Sequence, residues 1–376
     1  MDYTTSNFFF KLKKVFRYLL IYGPSKTFIK VKGQYHMKKK YTSLPICDFH
    51  NDHTGFIGIV GCGNFSYHAI SYNLNLCKTS LIRACMDINI NRAASLYEKY
   101  GLTYYTDDFN KILTDPKISL VYIASNHSSH ALYAIDCINA GKSVHIEKPH
   151  VIDNEQLESL LHAMEKNPEV NVFLGFNRPR SPLFLKLQSF LSEQTGPLMV
   201  NWFIAGHEIS DNHWYFDSKE GGRILGNLCH WTDLTLHLVG FENAFPCKIT
   251  PSCPDNAKSD FVVSVVFKDQ SCATITFSAK GHTFEGVRET LNIHKGDMLA
   301  NLSDFKSLAI DVIEKKYKFK TLFRDHGHKA NILNSLNASS ANVSRGESSQ
   351  YIKATSLFFL SIKYAVENNE TVKLSL

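Results

Sequence analysis

Residues 56–66 constrain the fold more tightly than any other part of this 376-residue chain. Phe56-Ile57-Gly58-Ile59-Val60 is a short apolar run of the kind needed by a strand buried on both faces. It leads directly into Gly61-Cys62-Gly63-Asn64-Phe65-Ser66. In a G-x-G-x-x-G turn the first glycine permits the tight reversal, and the second lets backbone approach a pyrophosphate. The third position packs helix on strand, a place where the small Ser66 can stand in for glycine. A pyrophosphate would then rest on the amides that open the next helix, at Asn64 and Phe65. Alone, such a turn is a weak signal.

The context strengthens it. Leu81-Ile82-Arg83-Ala84-Cys85-Met86 reads as a second strand ending at Asp87, close to the ~20 residues expected after the glycines. A carboxylate there can accept the ribose hydroxyls of adenosine and repel a 2′-phosphate, which favours NAD, with NADP left open by the nearby Arg92. Further strands are expected at 120–125, 143–147 and 170–176, with helices at 91–100, 129–140 and 154–166 between them. Strand and helix thus alternate as in a parallel βαβ sheet.

Charge is distributed unevenly. The whole chain carries +6, yet residues 1–50 hold ten Lys/Arg against two acids, so the remaining 326 residues carry −2. The body therefore has no general attraction to nucleic acid. In the arm, Phe8, Leu12, Val15, Phe16 and Leu19 recur at helical spacing opposite a basic face. Lys11, Lys13, Lys14 and Arg17 interrupt the apolar run, which fits neither a signal peptide nor a membrane span. Two uses stay open for the stripe: docking on the protein's own body or a sister subunit, or lying against an anionic membrane surface through residues 7–22. Gly23-Pro24-Ser25 should end this helix, and a second short helix and a linker should follow to about residue 53. The nine cysteines include no C-x-x-C pair. They fit a reducing, cytoplasmic compartment better than a disulfide framework or a zinc knuckle.

Three strings carry a family resemblance: the Gly-rich turn, Ser125-Asn126-His127-Ser128-Ser129-His130, and Ala140-Gly141-Lys142-Ser143-Val144-His145-Ile146-Glu147-Lys148-Pro149. Together with Gly175-Phe176-Asn177-Arg178 and the stretch from Gly221 to Asp233, they resemble the Gfo/Idh/MocA oxidoreductases, the glucose-fructose oxidoreductase and inositol dehydrogenase family. The resemblance covers about residues 55–376 and leaves the arm outside. It implies an α/β fold with an N-terminal Rossmann doubly wound parallel sheet, followed by an α+β domain with an open, mainly antiparallel sheet facing a partner subunit. The expected divisions are an arm at 1–53, a nucleotide-binding domain at 54–175 and a substrate and oligomerisation domain at 176–376.

The resemblance also implies roles. Lys148 would lie near the nicotinamide and the reacting hydroxyl, where an ammonium can stabilise alkoxide charge or pass a proton. His230 would move the substrate proton, a duty suited to imidazole. Ser125, Asn126, His130 and Glu147 would join Gly61, Gly63, Asn64, Phe65 and Asp87 around the cofactor. Four residues before His230, where the family usually has a catalytic Asp, stands Gly226. Either Lys148 and His230 act without that carboxylate while Asn227 positions substrate, or the chain is a non-catalytic NAD-binding subunit or sensor. Asp233 is a poor substitute.

Substrate signals are thinner. Trp214 and Tyr215 are candidates to stack on a sugar face, whereas Trp202 in Val200-Asn201-Trp202-Phe203-Ile204 suits a core strand. Asn177 and Arg178 follow the first domain, and Arg178 could meet a phosphate or carboxylate or form an ordinary salt bridge. His207, Glu208 and His213 match no metal-ligand spacing, so no metal is expected. Strands are expected at 259–268, 271–280 and 287–295, a loop at Asn334–Ser349 and a closing helix at 348–368. The sum is an NAD(P)-dependent oxidoreductase acting on a hydroxyl or keto carbon of a sugar or nucleotide-sugar. A homo-oligomer, dimer or tetramer, is expected, with surface-polysaccharide synthesis as context. The expected location is cytoplasmic, peripheral at the inner membrane face if the arm touches lipid.

Overall fold

The computed structural model describes residues 6–47, 54–209, 213–217, 219–254, 260–280, 284–340 and 346–376. The arm forms two helices, α1 (Phe8–Tyr22) and α2 (Pro24–His36), broken at Gly23 with φ of 79°. Next come β1 (Ile57–Val60), a π-helical turn at Ser66–Ile70 and α3 (Ser71–Cys77). The chain then alternates through β2 (Ile82–Met86), α4 (Ile90–Tyr100), β3 (Tyr104–Thr106), α5 (Phe109–Leu113) and β4 (Leu120–Ile123). It closes the first sheet with α6 (His127–Asn139), β5 (Ser143–Ile146), α7 (Asn154–Lys166) and β6 (Val172–Leu174).

All pairs in this sheet are parallel, in the order β3-β2-β1-β4-β5-β6. Every residue of β1 and of β4 is buried, as an apolar run covered on both faces requires. Gly58 belongs to that packing, because a Cβ there would lie 3.0 Å from the Ile112 side chain of α5. Strand order reverses between β1 and β4, and a ligand crevice is expected outside the carboxyl ends of strands at that point.

After α8 (Pro182–Leu191) comes β7 (Leu198–Ala205), whose alternate residues Leu198, Val200, Trp202 and Ile204 are buried. Then follow α9 (Cys229–Val239), α10 (Phe241–Ala244), β8 (Cys247–Ser252), β9 (Phe261–Val266), β10 (Cys272–Ser278) and β11 (Arg288–Lys295). Alternation did not single out β8, nor β12 (Met298–Ser303), β13 (Ser307–Val312) and β14 (Lys315–Lys320), which extend one edge. The last elements are α11 (His328–Ser340), α12 (Ser349–Asn368) and β15 (Val372–Leu374). The nine strands run β14-β13-β12-β11-β7-β10-β9-β8-β15, antiparallel except for β7 with β10. α9 and α12 cover one face. The other exposes Met199, Phe203 and Leu299.

Two expectations need correction. The loop expected from Asn334 begins inside α11, which continues to Ser340 because Ile332 and Leu336 pack beneath the first sheet and Tyr122 Oη donates to Ile332 O. The apolar stripe of α1 does not dock on the protein's own body. Phe8, Leu12 and Phe16 are 72%, 55% and 62% exposed. The docked face is instead that of Lys14, Tyr18 and Ile21: the Lys14 ammonium donates to the Phe284 carbonyl, Arg17 pairs with Glu285, and Arg324 N donates to Ile21 O at 2.8 Å. These polar partners satisfy the basic side chains at the contact. α2 docks on the first domain, where His36 Nε2 lies 2.7 Å from Cys62 O and Nδ1 2.9 Å from Ser95 Oγ, the ring stacked on Tyr67.

Candidate active site

Three strand ends build the first wall. At the end of β1, Gly61 has φ of 87°, and a Cβ there would lie 2.6 Å from the Ala124 carbonyl. Only glycine fits that crossing. A Cβ at Gly63 would meet nothing within 4 Å, so backbone lies open to a ligand. Ser66 is fully buried and its hydroxyl donates to Gly61 O, tightening the turn. At the end of β2, Asp87 accepts Cys62 N–H at 2.7 Å and Asn89 N–H at 2.8 Å. Each carboxylate oxygen keeps a further acceptor site, so the group can still take ribose hydroxyls. Open backbone and an oriented carboxylate together fit a dinucleotide.

At the end of β5, Lys148 Nζ donates to Gly226 O at 2.7 Å. Gly226 lies in a π-helical turn, Ile224–Leu228, that opens α9, so irregular helix borders the site on both sides. A Cβ at Gly226 would lie 2.8 Å from Tyr215 Cε2 and 2.9 Å from His127 Cε1. Two rings thus occupy the room that any side chain at this position would need. Burial works against the Lys148 ammonium, but Tyr215, Cys229 and Glu147 outweigh it and hold its pKa above the usual lysine value. His230 is driven the other way: burial first, then Arg178 and Lys148, push its pKa well below 6.5. Among the described residues its Nδ1 and the Oδ1 of Asn227 are buried without a partner. A crevice of ≈ 240 Å³ brings Lys148, His230, Phe65, Trp214 and Tyr215 together.

Other expected site residues have structural partners. His130 sits between Pro149 O at 2.8 Å and Ser125 O at 3.1 Å, a strut across two strand ends in which a neutral ring donates to one carbonyl. Asn126 Nδ2 donates to Glu220 Oε1 at 2.6 Å, and Ser128 N and Oγ donate to the same carboxylate, which ties the two domains. Asn177 Nδ2 donates to His326 O at 2.6 Å. Glu147 is nearly buried, 3.6 Å from His145 Nε2. Arg178 gives both arms of its fork to Glu289, at 2.9 and 3.1 Å, and stacks over Trp231. Asp233 faces α12, accepting from Tyr351 Oη and Thr355 Oγ1, and burial pushes its pKa up to about 7. The loop preceding Trp214 lies partly outside the described residues, at 210–212.

Sequence reasoning missed Glu220, Glu289 and the arm's side of the cleft. Glu289 carried a signal: it shares strand parity with the buried Leu291 and Ile293, which marks a charge pointing inward. Among the described residues no three His, Cys, Asp or Glu side chains are grouped to hold a metal ion.

Comparison with known proteins bears on the first domain and on the fold. Residues 56–176 match the family model described as oxidoreductase family, NAD-binding Rossmann fold. An oxidoreductase of Formosa agariphila is 31% identical over 134 residues, 36% of this chain and 41% of that protein. The myo-inositol 2-dehydrogenase of Thermotoga maritima is 28% identical over 187 residues, 50% of this chain and 55% of that protein. The chain thus spans about half the length of the curated relatives it matches. Levoglucosan dehydrogenase in complex with NADH and levoglucosan shares the fold, with a TM-score of 0.73 at 17% identity over 85% of this chain and 99% of that one. The nucleotide turn, the Glu-Lys-Pro strand end and these matches together make the chain similar to the Gfo/Idh/MocA oxidoreductases, over an NAD-binding Rossmann domain at residues 56–176.

Proposed function

We propose that the protein is an NAD-dependent dehydrogenase or reductase acting on a hydroxyl or keto carbon of a sugar or nucleotide-sugar. The observation that carries this reading is the meeting of Lys148, from the β5 end, with His230, from α9, in one crevice beside the nucleotide turn. Bound nicotinamide supplies the hydride acceptor or donor. In the oxidative direction the neutral His230 imidazole accepts the hydroxyl proton, while the Lys148 ammonium stabilises the oxygen as its charge develops. Phe65, Trp214 and Tyr215 exclude water and give a sugar face flat apolar surface. Mixing NADH- or NAD-loaded protein with candidate sugars and nucleotide-sugars should give a single-turnover change at 340 nm. Binding of cofactor with no hydride transfer to any of them would instead favour the non-catalytic subunit that Gly226 suggests.

The pH profile offers a separate check. A base whose pKa is lowered stays neutral, and so active, below pH 6.5. The oxidative kcat/KM is therefore expected to be flat from pH 8 to 6.5 and to fall only further into acid. An acid limb centred above 6.5 would remove His230 from the role.

Restoring the family's aspartate is expected to harm the protein. Gly226→Asp forces a Cβ against two rings, an overpacking cost of about 1–3 kcal/mol that should lower Tm by ~2–10 °C. Turnover should not rise. A gain in kcat with unchanged Tm would show that the rings yield.

Three finer readings belong to the same proposal. The exposed Met199, Phe203 and Leu299 on the open sheet face support self-association into a dimer or tetramer. The outward Phe8, Leu12 and Phe16 of α1, beside Lys11 and Lys13, support peripheral contact with an anionic membrane from the cytoplasmic side. Among the described residues no helix is long and apolar enough to cross a membrane. A sugar-modifying enzyme held at that surface would suit surface-polysaccharide synthesis.

A further inference from the structure

The arm bridges the two domains. α1 is fastened to the second through Lys14, Arg17 and Ile21, and α2 to the first through His36. A recess of ≈ 310 Å³ lies between them, walled by Tyr22, Lys26 and Lys30 of the arm and by Asn227 and His230 of the candidate site. Phe65 and His230 line both this recess and the Lys148 crevice, so the two spaces adjoin.

The recess is rich in positive charge. Arg178, Arg324 and Lys329 also border it, and Asp325 is the one carboxylate among the residues lining it. Arg178 is neutralised by Glu289, and Arg324 lies 3.1 Å from Asp304. Arg324 is nevertheless buried, and among the described residues its Nε lacks a partner. No ion pair reaches Lys26, Lys30 or Lys329 within the described residues. Among the described residues Lys30 Nζ has only the Tyr22 ring, 4.8 Å away, and His68 Nε2 at 3.5 Å. The His68 Nδ1 lies 2.6 Å from Asn64 O, which leaves Nε2 free to accept. Burial, then Lys26, then Arg324 lower the Lys30 pKa to about 8. Like charges four residues apart on one helix repel, and a sheltered cation without counter-charge, as at Lys30, is costly. The arrangement calls for an anion.

Resting on the dehydrogenase reading above, we infer that the arm completes the substrate pocket. Lys26 and Lys30, with Lys329 at the mouth, form a subsite for a phosphate or carboxylate carried by the sugar whose reacting carbon lies at His230. The substrate is then an anionic sugar, either a sugar phosphate or nucleotide-sugar or a sugar acid. α2 acts as a fixed wall of the active site.

Calorimetric titration of the full chain saturated with NADH, using inorganic pyrophosphate, phosphate, glucuronate and glucose, tests this without turnover. Pyrophosphate or glucuronate should bind and glucose should bind far more weakly; the stronger anion distinguishes the phosphate from the carboxylate source. Lys26→Met with Lys30→Met should weaken anion binding by about tenfold or more, given the strength of charge-assisted hydrogen bonds. NADH affinity should change by less than about twofold, and Tm should hold or rise as repulsion is removed. Unchanged anion binding in the double variant would overturn the inference. So would competition between pyrophosphate and NADH in the wild type, since the recess would then belong to the cofactor. Failure of hydride transfer with anion binding intact would count against the dehydrogenase reading alone.

Discussion

Lys148→Ala is expected to slow hydride transfer by roughly 10²–10⁴-fold, or about 2.7–5.5 kcal/mol of barrier, while NADH still binds. Lys148 follows the carboxyl end of β5, one strand beyond the reversal between β1 and β4, and its ammonium donates to Gly226 O at 2.7 Å. Its pKa stays above the ordinary lysine value, so it reaches the site charged at every physiological pH. A fixed cation in a sheltered crevice is worth most where negative charge develops, on the substrate oxygen as hydride departs. The loss should therefore appear in kcat more than in KM. Removing the side chain also frees the Gly226 carbonyl, so a structural effect has to be separated. Lys148→Arg keeps a donor for that carbonyl and should restore Tm, yet its broader, planar fork should recover only part of the rate. A Lys148→Ala protein that binds NADH and turns over within about tenfold of wild type would remove Lys148 from the chemistry.

Five of the six strands of the parallel sheet were legible because they are short apolar runs, three of them closed by Gly61, Asp87 and Lys148, and this local chemistry survives without tertiary information; the three-residue edge strand β3 was too short to show a pattern. The second sheet was less so. β12 to β14 hold Asn301, Asp311 and four lysines at outward positions, and a partly exposed edge blurs the alternation that reveals a strand. The arm shows a different limit. Periodicity located α1 but could not tell which face docks, because the Phe284 carbonyl and Glu285 that draw in Lys14 and Arg17 lie about 270 residues away. The same separation hid Lys26 and Lys30 from any reading of the cleft. Conversely, His130 and Arg178 were visible as polar residues in functional strings, and only the fold reveals that backbone carbonyls and Glu289 already engage them.

The second large effect concerns stability. Glu289 is almost wholly buried, yet its carboxylate accepts the Arg178 fork, Trp231 Nε1–H at 2.7 Å and His326 Nε2 at 3.0 Å. Burial alone would raise its pKa, but Arg178 and His326 outweigh that and hold it far below the ordinary carboxylate range. Breaking such a pair strands the surviving charge, so Glu289→Leu is expected to cost about 3–5 kcal/mol in denaturant unfolding at pH 7. The double variant Glu289→Leu with Arg178→Met should cost less than Glu289→Leu alone, because no charge is left without its partner. The sign with pH follows from the depressed folded pKa. The stabilisation is fully present above the unfolded value of about 4.3 and is lost as pH falls through the folded value, so wild type should lose stability below about pH 4 faster than Glu289→Leu. Equal cost in the single and double variants would mean that lost packing, rather than stranded charge, sets the penalty. Because Trp231 follows His230 directly in α9, the same substitution should also loosen the imidazole, and kcat should fall in the fraction that remains folded.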